Sequence, residues 1–180
     1  MIVPDSKDWT WVLDHPCPDC GFDASTCQAA AVAALITENA RVWEQLLATD
    51  AISPTRPDDS TWSSLEYLCH VRDVYRRYDQ RVALMLDEHD PLFPNWDQDA
   101  SAIEDRYNEQ DPADVAPALL HAAEALADRF ETVTGDLWQR AGTRSDGAKF
   151  SVHSFAQYLI HDPIHHLHDV HQGNRALATS

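Results

Sequence analysis

Long apolar runs are missing from this chain of 180 residues, and no stretch approaches the roughly 18 residues that a membrane-spanning helix needs. Lysine is nearly missing too, with Lys7 and Lys149 the only two, and the net charge is −17. Such a surface repels phosphate backbones and anionic membranes. No basic run offsets it, so neither nucleic acid nor a membrane is an expected partner. The opening residues, MIVPDSKDWTW, lack the basic and apolar segments of a signal peptide, and a cytoplasmic location is the expectation. Several catalytic signatures are also absent. Without H-E-x-x-H, E-x-x-H, G-x-S-x-G or a Walker loop, the chain does not read as a zincin, a ferritin-like di-iron protein, a serine hydrolase or a P-loop enzyme. The segment Cys17–Gly21, CPDCG, is half of a zinc-knuckle pattern, and no second C-x-x-C completes it. With Cys27 and Cys69 these cysteines read as thiols or ligands rather than disulfides. His15, Cys17, Cys20 and Cys27 form one candidate site. The competing reading is a turn with free thiols that packs an N-terminal arm onto the domain.

Histidine is plentiful and concentrated. The stretch Ser154–His171, SFAQYLIHDPIHHLHDVH, holds His161, His165, His166, His168 and His171 with Asp162 and Asp169 between them. Imidazoles interleaved with carboxylates on one helix have the composition of a metal site. Residues four apart share a helix face, so His161/His165 and Asp162/His166 are each a candidate ligand pair. A third ligand must come from elsewhere.

Four amphipathic helices are predicted. The first spans 26–49, on a stripe that includes Ile36, Val42, Trp43 and Leu46, with Asn39 either bonded in the core or lining a pocket. The second runs from about 60–62 to 87, with His70 at the edge of its stripe. The third starts with Asp111 as N-cap and Pro112 at its first position. The fourth starts at Ser151. No strand is expected. The proline-rich linker 50–60 and the long acidic connection 88–111, with a short helical piece near 101–108, permit topologies other than up-down-up-down. The expected organisation is an irregular arm over 1–25 and an all-α four-helix bundle domain over 26–175.

At about 100° per residue, Asp162 and His166 fall on the flank of the fourth helix's buried side. His161, His165 and His168 fall opposite, as a solvated polar face, with His171 also solvated. Pro163 interrupts the helix hydrogen bonding and can shift the phase, which keeps the His161/His165 pair as the alternative.

The segment Trp62–Leu84, WSSLEYLCHVRDVYRRYDQRVAL, resembles the second helix of the DinB-like four-helix-bundle metalloproteins. There a Trp-Ser opening is followed eight residues later by a metal-binding His, here His70. The end HHLHDV, His165–Val170, matches the fourth-helix signature, and the likeness covers roughly 30–172. With His166 as the second histidine, the first falls on Asp162 and the site becomes two-His, one-carboxylate; His161 and His165 restore three histidines. The resemblance implies a divalent metal, zinc foremost, with nickel, iron and manganese as alternatives. It further implies a small-molecule substrate, a low-molecular-weight thiol of the mycothiol type as co-substrate, S-transfer or isomerisation as the reaction, and a homodimer. Glu66, Asp73 and Arg77 lie near His70 on its helix as candidate proton handlers, while Cys69 reads as core. Trp9, Trp11 and Phe22 are the apolar material for a dimer interface. The competing class is a non-catalytic metal-binding, stress-response or interaction protein whose metal is structural.

Overall fold

The computed structural model describes residues 8–179; the first seven residues of the expected arm lie outside them. Five α-helices follow in order: α1 Val32–Ala48, α2 Ser64–Asp87, α3 Gln98–Glu104, α4 Pro112–Glu131 and α5 Val152–Ala178. Each boundary has a local cause. Ser63 caps α2 in a reciprocal box with Glu66, and Ser151 caps α5 with Ser154. Asp111 caps α4 directly ahead of Pro112. The predicted first helix loses its opening: Ala29–Ala31 form a 3-10 turn, and α1 begins at Val32. The residues before that turn belong to the arm, held there by the Gln157 amide, which donates to the carbonyls of Ala24 and Cys27 at 2.8 Å.

Around the bundle the helices follow the order α1, α4, α2, α5, each packing on its neighbours in that ring. Consecutive helices α1 and α2 therefore sit diagonally, which the linker ahead of Ser63 makes reachable. No described helix is long and apolar enough to cross a membrane.

Asn39 stands at the centre. Its amide donates to the Pro163 carbonyl at 2.8 Å, and its oxygen accepts from Tyr75 Oη at 2.8 Å and Trp43 Nε1 at 3.1 Å. One buried side chain thus ties α1 to α2 and α5. Asn39→Leu keeps the volume and leaves those buried partners unbonded. We expect a loss of about 3 kcal/mol in unfolding free energy, read by urea denaturation, with the helical content unchanged. A loss below about 1 kcal/mol would mean that these groups find other partners.

The expectation of no strand is overturned. β1 (Leu92–Phe93) pairs in parallel with β2 (Ala141–Arg144), which pairs antiparallel with β3 (Lys149–Ser151). Strands this short carry no readable alternation, but their turn does: Gly147, after Asp146, takes φ +97° between β2 and β3. Gly142 serves a close approach, since a Cβ there would lie 2.7 Å from Met85 Cγ. The sheet closes the end of the bundle where the 88–111 connection crosses, and that connection carries Trp96 onto α2.

Candidate metal centre

α2 places His70 two turns inside its N-cap, and α5 places Asp162 and His166 one turn apart on the facing side. The three converge: one ligand atom from each lies within 4.8 Å of the others. His70 Nε2 is 3.3 Å from Asp162 Oδ1, and His166 Nε2 is 3.5 Å from the same oxygen. Ordinary N–H···O hydrogen bonds are shorter, near 2.9 Å. Two ligands held about 2.1 Å from one ion at tetrahedral angles stand about 3.4 Å apart, which is the spacing found here.

His70 is fully buried, and neither of its ring nitrogens has a hydrogen bond; Asp162 Oδ1 is equally without one. Its ring lies flat on Trp96, with centroids 5.1 Å apart and planes 7° apart, and tilts against Trp62 at 5.3 Å. Two indoles thus orient an imidazole that no hydrogen bond orients. Buried polar groups are normally bonded, so these orphaned atoms, which converge within 4.8 Å, fit a divalent cation. A two-His, one-carboxylate donor set suits a divalent first-row metal with positions left open.

The electrostatics agree. Burial lowers the pKa of His70, which keeps the imidazole neutral with a free lone pair. Burial alone would raise the Asp162 carboxyl, but His166, foremost among its neighbours, outweighs it and holds the group at about 2. Asp169, one turn further along α5, accepts from His166 Nδ1 at 3.1 Å, which directs His166 Nε2 toward Asp162. Asp169 was visible only as one acid among the histidines; its spacing of three from His166 is what marks it as an orienting partner.

The expected proton handlers are engaged elsewhere. Glu66 receives a two-pronged ion pair from Arg56 besides closing the Ser63 cap. Asp73 is held by Arg72, Arg76 and the Tyr107 hydroxyl. The Arg77 guanidinium stacks on Trp96, 4.6 Å from its ring centre. Cys69 is buried, as expected of a core residue.

The solvated face assigned to His161 and His165 is corrected. These residues are 4% and 9% exposed, because the arm folds over them. Trp9 packs on both rings and Phe22 on His161. Burial pushes the His161 pKa down to about 4. A helical wheel measures phase from apolar residues and does not register a covering segment from the distant end of the chain. Trp9 and Phe22, on which the dimer interface was placed, are therefore engaged within the chain. The cysteine grouping changes as well. His15 is exposed and Cys27 stands apart, while Cys17 and Cys20 meet His161 and His165.

Beside the triad is a cavity of about 100 Å³. Asp162, His166 and Trp96 line it, together with Arg81, Arg144 and Tyr158. Sequence reasoning named none of Arg81, Arg144 and Tyr158, which come from α2, β2 and α5 and carry no motif.

No curated protein matches the chain. Among solved structures it is similar to YfiT from Bacillus subtilis, described as a probable metal-dependent hydrolase with an unusual four-helix bundle topology. The two chains are 18% identical, with a TM-score of 0.73 over 83% of this chain and 87% of YfiT. At that identity the likeness speaks for the fold. A family model for the DinB superfamily matches residues 35–170, most of the chain and all three converging side chains, and the chain belongs to the DinB superfamily.

Proposed function

We propose that this chain is a divalent-metal-dependent enzyme whose ion is held by His70, Asp162 and His166 and whose small-molecule substrate occupies the adjoining cavity. The observation that carries the reading is the set of buried atoms without hydrogen bonds, His70 Nδ1, His70 Nε2 and Asp162 Oδ1, at the point where three ligands converge. Zinc is the ion best suited to these donors. Bound there, it supplies Lewis-acid polarisation and lowers the pKa of a coordinated nucleophile.

The residues around it bind and orient. Trp62 and Trp96 fix the His70 ring plane. Asp169 holds a proton on His166 Nδ1 and leaves the Nε2 lone pair facing inward. Of the two guanidiniums at the cavity, Arg144 is ion-paired with Asp146 at 2.8 Å and bonded to Tyr158 Oη, and Arg81 donates to the Pro94 carbonyl at 2.8 Å, so they act as polar walls whose charge is already partly met. The cavity, about 100 Å³, holds a few waters and falls short of the roughly 300 Å³ of a pocket that encloses a whole ligand. That size favours a small substrate, and the likeness to a protein described as a probable metal-dependent hydrolase favours hydrolysis. A thiol co-substrate of the mycothiol type, for S-transfer or isomerisation, would bring in only its sulfur end.

Elemental analysis of purified wild-type, His70→Ala and Asp162→Ala proteins tests the reading. Each variant is expected to lose one tightly bound ion while keeping its helical circular dichroism. The metal-loaded wild type, and neither variant, is expected to turn over small carboxylate esters or amides without added thiol. Turnover only with added thiol would instead select S-transfer or isomerisation. Unchanged metal content in His70→Ala would sink the site, and melting of the whole domain on removal of that one ion would favour a structural, non-catalytic metal.

A further inference from the structure

We infer a second metal site, a closed Cys2His2 zinc centre made by Cys17 and Cys20 of the arm with His161 and His165 of α5. One ligand atom from each of the four lies within 4.8 Å of the others. Cys17 Sγ stands 3.5 Å from His165 Nδ1. A sulfur about 2.3 Å and a nitrogen about 2.0–2.1 Å from one tetrahedral ion are about 3.6 Å apart, so the pair already has the spacing of two zinc ligands. His161 Nε2 is buried without a hydrogen bond, an independent observation that points to a ligand here. Cys17, His161 and His165 are 2%, 4% and 9% exposed.

The local folding of CPDCG is that of a metal knuckle. Gly21 N–H donates to the Cys17 carbonyl at 2.9 Å, and Cys17 N–H donates to the Phe22 carbonyl at 2.7 Å. Gly21 turns the chain at φ +76°, a left-handed value suited to glycine. In sequence the pattern is C-x2-C followed by H-x3-H on a helix, the spacing of structural zinc sites. Two sulfurs and two imidazoles select Zn²⁺ over harder ions.

Four protein ligands leave no open position, so this ion is structural, in contrast to the triad. It fastens the arm across α5. Trp9, which lies on His161 and His165, also lines the cavity beside the triad. The zinc therefore holds one wall of the substrate site in place. His165 and His166 are consecutive, so α5 serves one centre from each flank.

Zinc-loaded wild-type protein, freed of loose ions by gel filtration, is expected to hold two equivalents. Cys17→Ser/Cys20→Ser is expected to hold one, and so is His70→Ala, by loss of the other ion. Loaded with Co²⁺, the wild type and His70→Ala are expected to show the sulfur-to-cobalt charge-transfer band and intense visible bands of a tetrahedral S2N2 site. Cys17→Ser/Cys20→Ser is expected to lose the charge-transfer band. Equal zinc content in the wild type and the cysteine variant would overturn the inference. So would the absence of a charge-transfer band in wild-type cobalt protein, however the cysteine variant folds.

Discussion

In the presence of a strong chelator, His70→Leu is expected to melt above the wild type. His70 buries one donor and one acceptor nitrogen, and neither has a hydrogen bond. Each such group costs about 1–3 kcal/mol when left unbonded, and replacing it by an apolar side chain of similar reach removes that cost. Leucine gives up the flat contact with Trp96, which recovers part of the difference. The expected net gain is about 1–3 kcal/mol, or about 2–12 °C for a chain of this length. Asp162 keeps its second imidazole, His166, at 3.5 Å, so the substitution does not strand the carboxylate. With metal the gap closes, and it reverses where the gain without metal is below about 2.7 kcal/mol. An ion at a hundred times its Kd stabilises the folded state by about 2.7 kcal/mol. The rise in Tm on adding metal is therefore expected to be smaller in His70→Leu by about 5–11 °C. Any ion held by the cysteine pair contributes equally to both proteins and drops out of this comparison. An ordinary core histidine gives the opposite pattern: the variant melts lower without metal, and metal affects both proteins alike. Differential scanning calorimetry at two metal concentrations separates the two.

The same physics decides what could be read before the fold was known. His70 was reachable because its environment is local: the Trp-Ser opening, the cap at Ser63 and the position eight residues after Trp62 all lie on one helix. Asp162 and His166 were reachable because a spacing of four on a helix is a statement about direction. Pro163 did not undo it: α5 runs through without a break from Val152 to Ala178. What escaped was tertiary. The burial of His161 and His165 depends on a segment far off in sequence, with Cys17 and His165 148 residues apart, and the two pairs turn to different clusters, Asp162 and His166 to His70, His161 and His165 to Cys17 and Cys20. Trp96 escaped for a similar reason. An acidic, proline-bearing connection gives no periodicity by which to place one indole on one imidazole, although its length did point to a segment lying over a site.

Asp169→Ala is expected to weaken both centres at once, by unequal amounts. Its Oδ2 accepts from His166 Nδ1 at 3.1 Å, and its Oδ1 lies 3.7 Å from His165 Nε2. In each ring the nitrogen facing Asp169 is the one that does not face the ligand cluster: His166 turns Nε2 toward Asp162, and His165 turns Nδ1 toward Cys17. A carboxylate behind a ligating histidine fixes its tautomer and ring plane, and its removal costs about 10–100-fold in metal affinity. The 3.1 Å contact is a hydrogen bond and the 3.7 Å contact is longer than one. The triad should therefore lose the full factor, and the cysteine-bearing centre less. Burial would raise the Asp169 carboxyl, but His166 and His165 outweigh it and keep it ionised. Asp169→Asn should accordingly fall between wild type and Asp169→Ala, because an amide oxygen still accepts from His166 but carries no charge. Chelator competition, followed through zinc release from His70→Ala and from Cys17→Ser/Cys20→Ser, reads each centre alone. If Asp169→Ala leaves both affinities within about twofold, well short of that range, the carboxylate orients neither histidine. If it weakens only the triad, the two centres do not share this residue and α5 positions His165 by packing alone, against Trp9.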